Sequence, residues 1–244
     1  MWVYLRVEAQ PITTAWIYHN SDLWLISLSS DWANWTTIAD KNLWATTVYN
    51  SWDTLSEANC GKYYQRWNNY WFPRTWSVTT SSTAVNAWSY WPWNYYSSST
   101  WITTRYWDSS HNGNLWWDIT NTKVARKWPC DTWFHISYND ENIGLIWILT
   151  SLWINTSNWD CMKTYLKMPF SWYRDISGSV SQQNSQWWYW TSEQTGAEYE
   201  QAFILFFHST GIYTDEEDAR SRGGSIRPFK NEAVQPDSNR TKLY

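Results

Sequence analysis

Glycine is scarce in this chain: 8 residues of 244, where the ordinary share of roughly 7% would give about 17. A chain so poor in the residue that adopts positive φ without steric cost ought to turn rarely. Yet segments rich in Asn, Ser, Asp and Pro recur along its length and read as turns. Cysteine is thin too, at Cys60, Cys130 and Cys161. Three thiols exclude a disulfide-dense scaffold and allow one bridge, between two of the three, with one thiol left over. Charge is sparse: 16% of residues, with a formal net charge of −4, which offers no basic face for nucleic acid. The 43% hydrophobic content nevertheless excludes a disordered chain. No apolar run reaches transmembrane length. The N-terminus lacks a secretory leader's basic region, apolar core and cleavage site, and Met1-Trp2-Val3-Tyr4 reads as an internal start or fragment.

What is abundant is tryptophan, 26 residues, and it sits where chains bend. Trp93 lies in Tyr90-Trp91-Pro92-Trp93-Asn94, Trp67 and Trp71 bracket Asn68-Asn69-Tyr70, Trp172 follows Pro169-Phe170-Ser171, and Trp32 follows Ser29-Ser30-Asp31. With glycine at the tryptophan positions these become ordinary turn sequences. A side chain forced into the left-handed region costs roughly 1–2 kcal/mol, so about ten such sites would consume a total stability of ~5–15 kcal/mol. The expectation is that many of these tryptophans stand for glycine. Their codons would be UGA, which some bacteria read as glycine, translated here as tryptophan.

Along the chain, residues 1–22 have no clear partner elsewhere in the sequence. Leu25, Ile26 and Leu28 cluster at strand length, with a turn signal at Asp31–Asn34. A long irregular stretch rich in Asn, Ser, Thr and aromatics extends to about Lys127. One helix is expected over 140–152, where Ile143, Ile146, Ile148, Leu149 and Leu152 share a face. Ser137 or Asn139 would cap it, and Asp140 and Glu141 suit its first turn. Short strands are expected at Thr164–Pro169, Trp188–Ser192, Ala202–His208, Gly211–Tyr213 and Ser225–Phe229. Ala202–His208, a continuous apolar run, fits a buried central strand. Residues 232–244 read as a flexible tail.

Several short motifs then occur in a specific order. Asp40-Lys41-Asn42-Leu43-Trp44-Ala45-Thr46, Asn59-Cys60-Gly61-Lys62-Tyr63-Tyr64-Gln65 and Trp128-Pro129-Cys130-Asp131-Thr132-Trp133-Phe134-His135-Ile136 come first. Leu166-Lys167-Met168-Pro169-Phe170-Ser171-Trp172-Tyr173-Arg174, Tyr189-Trp190-Thr191-Ser192 and Gly224-Ser225-Ile226-Arg227-Pro228-Phe229-Lys230 come after them. This order resembles the Fibrobacter succinogenes major paralogous (FISUMP) domain family over residues 23–231. In the family's motifs, glycine stands where this chain has Trp44, Trp67, Trp128, Trp133 and Trp172, whereas Trp190 matches a family tryptophan. Ser137 replaces a usual proline, and Pro228 stands where the family has a late cysteine. The resemblance implies a C-type-lectin-like fold shared with formylglycine-generating enzymes and with the variable proteins of diversity-generating retroelements. That would be an α+β domain of short mixed strands, one clear helix and long irregular loops, with the Trp188–Arg227 region facing ligand. It also implies an exported or cell-surface setting.

Candidate chemistry is limited. His19, His111, His135 and His208 show no metal-ligand spacing, so no metal and no cofactor is expected, and His135 is expected to make a structural hydrogen bond. No nucleophile–base signature is visible. Gln235-Pro236-Asp237 and the sequons at Asn34, Asn155 and Asn239 are read as chance. Asp215-Glu216-Glu217-Asp218 could contact calcium or a cationic ligand, and otherwise is a solvated loop. Aromatic surface is the best remaining signal, because Tyr and Trp provide rigid contact area at low entropic cost. The candidate ligand-binding residues are Tyr189, Trp190, Gln194, Glu198, Tyr199, His208, Tyr213, Asp215 and Glu217. The function expected is a non-catalytic, exported or cell-surface domain binding an unknown surface ligand, protein or glycan, either adhesive or a retroelement-diversified variable protein. The alternatives are a formylglycine-type oxidase or carbohydrate-active enzyme, and a structural spacer of a larger surface protein. The oxidase is disfavoured because no cysteine follows Cys161.

Overall fold

The computed structural model describes residues 4–9, 13–29, 35–66, 71–74, 77–81, 94–96, 129–130, 133–137, 148, 160–181, 186–194, 201–208, 211–213 and 216–231. Its largest sheet begins with β1 (Tyr4–Ala9), β2 (Thr13–Asn20), β3 (Leu25–Ser29) and β4 (Thr36–Ala39), each antiparallel to the next. The β2–β3 turn is set by Asn20, whose side-chain oxygen accepts the Asp22 and Leu23 N–H groups at 3.1 Å each. Every residue of β3 is buried. Within it, Ser27 is satisfied by the Thr37 hydroxyl at 2.9 Å, as a buried hydroxyl requires. The chain returns to this sheet near its far end. β16 (Pro228–Lys230) lies between β4 and β8 (Phe134–Ile136), with Phe229 opposite both Ile38 and His135. β1 and β2, in the segment expected to precede the domain, thus extend the sheet that β16 joins.

A second sheet is built on β11 (Gln186–Gln194) and β12 (Gln201–His208), flanked by β13 (Gly211–Tyr213) and β14 (Glu217–Ala219), both paired with β12. Strand geometry sends alternate side chains to opposite faces. Trp187, Tyr189, Leu205 and Phe207 enter one core cluster with Ile26, Ile38 and Phe229. Trp188, Trp190, Ala202, Ile204 and Phe206 enter another with Tyr64, Ile136 and Ile226. Burial on both faces explains why 202–207 is apolar without alternation. The expected central strand at Ala202–His208 is there.

A third sheet runs β10 (Val180–Ser181), β9 (Tyr173–Arg174), β15 (Gly223–Gly224), β5 (Tyr64–Gln65). Gly224 passes directly over β11: a Cβ there would lie 2.8 Å from the Trp190 Nε1 and 2.9 Å from the Trp188 Cδ1. A parallel pair, β6 (Thr79–Ser81) with β7 (Asn94–Tyr96), forms a separate two-stranded sheet, joined to the third sheet by the Tyr95 hydroxyl, which donates to the Arg174 carbonyl at 3.2 Å.

Buried arginines tie these sheets together. Arg74 donates to the Gly61 carbonyl (2.9 Å), the Tyr63 hydroxyl (2.9 Å), the Ser171 carbonyl (2.7 Å) and the Ser225 hydroxyl (2.6 Å). Arg227 donates to the Ala39 and Lys167 carbonyls, each at 2.8 Å. A guanidinium offers five donors in a rigid fork, so one side chain can satisfy loop carbonyls from several segments.

Three expectations are corrected. The α+β class gives way to a mainly β architecture: among the described residues there are sixteen strands and two helices, Glu57–Cys60 and Asp160–Thr164. The physical reason is the Thr- and aromatic-rich composition, which favours pleated, packed surfaces, with both core clusters built on two-sided strands. Of the helix expected over 140–152, only Ile148 is described; it is helical and buried in the first cluster. The short strand expected at Thr164–Pro169 is instead a helix end and an irregular segment, which buries Leu166 and Met168. Cys60 and Cys130 are buried thiols, so the bridge expected between two of the three cysteines is not formed with either. Burial raises the Cys60 thiol pKa, and Arg74 partly offsets this.

Candidate functional site

β12 carries its second-cluster side chains outward until the core ends. Ala202 and Ile204 are buried, whereas Phe206 and His208, the next two positions on that face, are only half-buried. Phe206 lies opposite Tyr213 of β13 in register, and Tyr213 is 36% exposed. The three rings form a triangle. Ring centroids are 5.6 Å apart for Phe206 and Tyr213, 5.5 Å for His208 and Tyr213, and 5.3 Å for Phe206 and His208. These separations fall within the range of favourable aromatic pairs.

The triangle is anchored inward. Phe206 meets Trp188 edge-on at 5.2 Å, and Trp188 stacks on Tyr173 at 4.5 Å. The Arg222 guanidinium carbon lies 5.0 Å from the Tyr173 ring centre and 5.3 Å from that of Trp188, close enough for a cation–π contact. Its charge is balanced by Asp218 at 2.8 Å, and the other oxygen of that buried carboxylate accepts the Ala219 N–H at 2.7 Å. The surface therefore offers rigid stacking area at its rim with a neutralised ion pair behind it. That is chemistry suited to holding an apolar or ring-bearing face rather than a strongly charged one.

The structure divides the candidate residues. His208 and Tyr213 come together in the triangle. Tyr189 and Trp190 are wholly buried, out of reach of a ligand. The Tyr189 hydroxyl donates to the Pro169 carbonyl and accepts from the Asn42 amide, each at 3.1 Å. Burial raises the Tyr189 pKa, with Arg227 opposing it. The Trp190 indole N–H donates to the Tyr64 carbonyl at 2.8 Å. Gln194 ends β11 opposite Ala202, and Glu217 begins β14 opposite Phe203; the side chains of both lie outside the described residues, as do Glu198, Tyr199 and Asp215 entirely. The acidic run, read as a calcium or cation contact or a solvated loop, instead enters a strand at Glu217, and Asp218 is its buried, ion-paired member. Among the described residues no group of three His, Cys, Asp or Glu side chains could hold a metal ion. His135 makes its expected structural bond, Nδ1 to the Asn231 side-chain oxygen at 3.0 Å. Burial lowers its pKa, with the Asn231 bond acting the other way.

Phe206, Tyr173 and Arg222 belong to this surface and are not singled out by the sequence. Phe206 has a readable signal, since it shares a strand face with His208 two residues on. Tyr173 and Arg222 have none, because they arrive from outside the β11–β12 sheet. No helix among the described residues is long and apolar enough to cross a membrane. Comparison of the chain with protein-family models, with curated proteins and with solved structures finds no match.

Proposed function

We propose that this is a non-catalytic binding domain of an exported or cell-surface protein, which engages its ligand on the rim formed by β12 and β13. The observation that carries the reading is the Phe206–His208–Tyr213 ring triangle, half-exposed yet anchored to the core through Trp188. Rings held by packing lose little freedom on binding, so contact made there is not offset by ordering cost. Stacking area of this kind, backed by the paired Arg222 and Asp218, suits a flat ligand face such as a sugar ring. The motif order from Asp40 to Lys230 supports the surface setting, and the α+β likeness is not needed for it.

The test is affinity electrophoresis against a panel of soluble polysaccharides with the full chain and with Tyr213→Ala and His208→Ala. The expected result is retardation by at least one polysaccharide, reduced at least tenfold in apparent affinity by either substitution. Equal retardation of all three proteins would remove the rim from the reading, and retardation of none would remove the sugar.

A further inference from the structure

Among the described residues, four that are not glycine hold φ in the left-handed region: Trp24 at 60°, Trp44 at 63°, Lys167 at 53° and Trp172 at 39°. Three of the four are tryptophan, although tryptophan is only 26 of 244 residues. Asn and Asp, the side chains that ordinarily tolerate this region, occupy none of them. Bulk works against such a backbone, so the pairing of the largest side chain with the least tolerant conformation calls for a cause.

Local geometry supplies one at two positions. The Ala45 N–H donates to the Asn42 carbonyl at 3.0 Å, closing a four-residue turn with Trp44 third. Positive φ at the third position alone defines a type II turn, whose third residue is ordinarily glycine. Trp24 ends the turn Ser21–Trp24 and leads into β3, where a left-handed residue lets the second strand of a hairpin resume its register. Neither indole recovers the cost by burial: Trp24 is 48% and Trp44 60% exposed. Trp172 carries a different penalty, an indole N–H that is buried with no acceptor among the described residues. An orphaned donor of this kind costs about 1–3 kcal/mol. Lys167 shows what a tolerated exception looks like, because the buried Arg227 guanidinium grips its carbonyl.

We infer that positions 24, 44 and 172 are glycine in the protein as its source organism makes it, encoded by UGA and decoded by a glycine tRNA. Position 190 is the counter-example: an extended strand residue with its ring fully buried and its N–H satisfied, where glycine would leave a large cavity. The consequence reaches function. Leu23 and Trp24 are both exposed, and Lys41 Nζ lies 3.7 Å from the Trp24 ring centre; together they imitate a second docking patch. With glycine at 24 that patch loses its ring and its contact with Lys41.

The decisive experiment is peptide mass spectrometry of the protein purified from its source organism, read together with the gene. Glycine masses at 24, 44 and 172, UGA at those codons, and tryptophan from UGG at 190 are expected. A tryptophan mass at any of the three overturns the inference. Recombinant protein gives an independent reading: Trp24→Gly and Trp44→Gly should each raise the urea midpoint, and a lower midpoint in both would overturn it on physical grounds.

Discussion

Two groups of tryptophans in one chain obey opposite rules. On β11, Trp187, Trp188 and Trp190 sit on extended backbone and are almost completely buried. Trp187 donates to the Met168 carbonyl at 3.1 Å and stacks between Phe170 and Phe207, at 3.7 and 4.3 Å. Trp188 lacks an acceptor for its N–H among the described residues but lies between Tyr173 and Phe206. In the turns, Trp24, Trp44, Trp52 and Trp133 project into water, and Trp24 and Trp44 hold a backbone that glycine would occupy without strain. The same side chain therefore contributes to the core on β11 and opposes the backbone at Trp24 and Trp44. Local conformation decides which, and hydrophobicity alone says nothing.

The largest test of that contrast is Trp190→Ala. It should cost about 3–5 kcal/mol, the usual loss on truncating a buried aromatic residue, seen as a lower urea midpoint; a loss under about 1 kcal/mol would erase the distinction between the groups. Trp44→Gly should move the other way. Relief of roughly 1–2 kcal/mol of left-handed strain, less the ~0.5–1 kcal/mol of extra chain entropy that glycine brings, leaves a gain of up to about 1.5 kcal/mol in the same measurement. Acid should then separate the groups spectroscopically. Burial holds the His135 pKa below the ordinary imidazole value, so the unfolded chain binds the proton more readily. His135's contribution to stability is then fully present above about pH 6.5 and is lost as pH falls through the lowered folded-state value. Indole emission should shift to longer wavelength on acid unfolding through the strand group, since the turn indoles are already hydrated, and His135→Gln should shallow the acid limb. Trp52→Ser should be nearly silent, within about 0.5 kcal/mol. Trp52 is 81% exposed and its φ is not left-handed, so a large change would mean that exposure alone strains a turn.

Much of the sheet at 202–213 is legible from sequence because a strand buried on both faces needs an uninterrupted apolar run, and Ala202–Phe207 supplies it. Trp44 and Trp172 are legible as misfits from their motifs, and their φ values agree. Trp24 is not, because Asn20-Ser21-Asp22-Leu23-Trp24 matches no motif and its left-handed backbone comes from the hairpin. Trp133, expected to stand for glycine on the same motif grounds, is exposed in a turn but without positive φ. Trp71, two residues before Pro73 and expected in a turn, is half-buried beneath Lys62, whose Nζ lies 4.2 Å from its ring centre. Trp32, Trp67, Trp93 and Trp128 lie outside the described residues. Of the candidate site, His208 and Tyr213 are readable as aromatic or polar groups on short strands. The inaccessibility of Tyr189 and Trp190 is not, since it depends on what covers both faces of β11.

Composition and spacing alone determined that Ala202–Phe207 must be buried and that Trp44 and Trp172 are out of place in their motifs, because backbone freedom and apolar periodicity act over a few neighbours. Only the tertiary structure decided that β1 and β2 extend the sheet that Phe229 joins, that buried guanidiniums bind the loops, and that Phe206, His208 and Tyr213 meet at a rim. Those outcomes depend on strand register and on contacts between segments up to almost two hundred residues apart, such as Arg227 with Ala39 (|i−j| = 188), and no local pattern encodes which distant segment arrives.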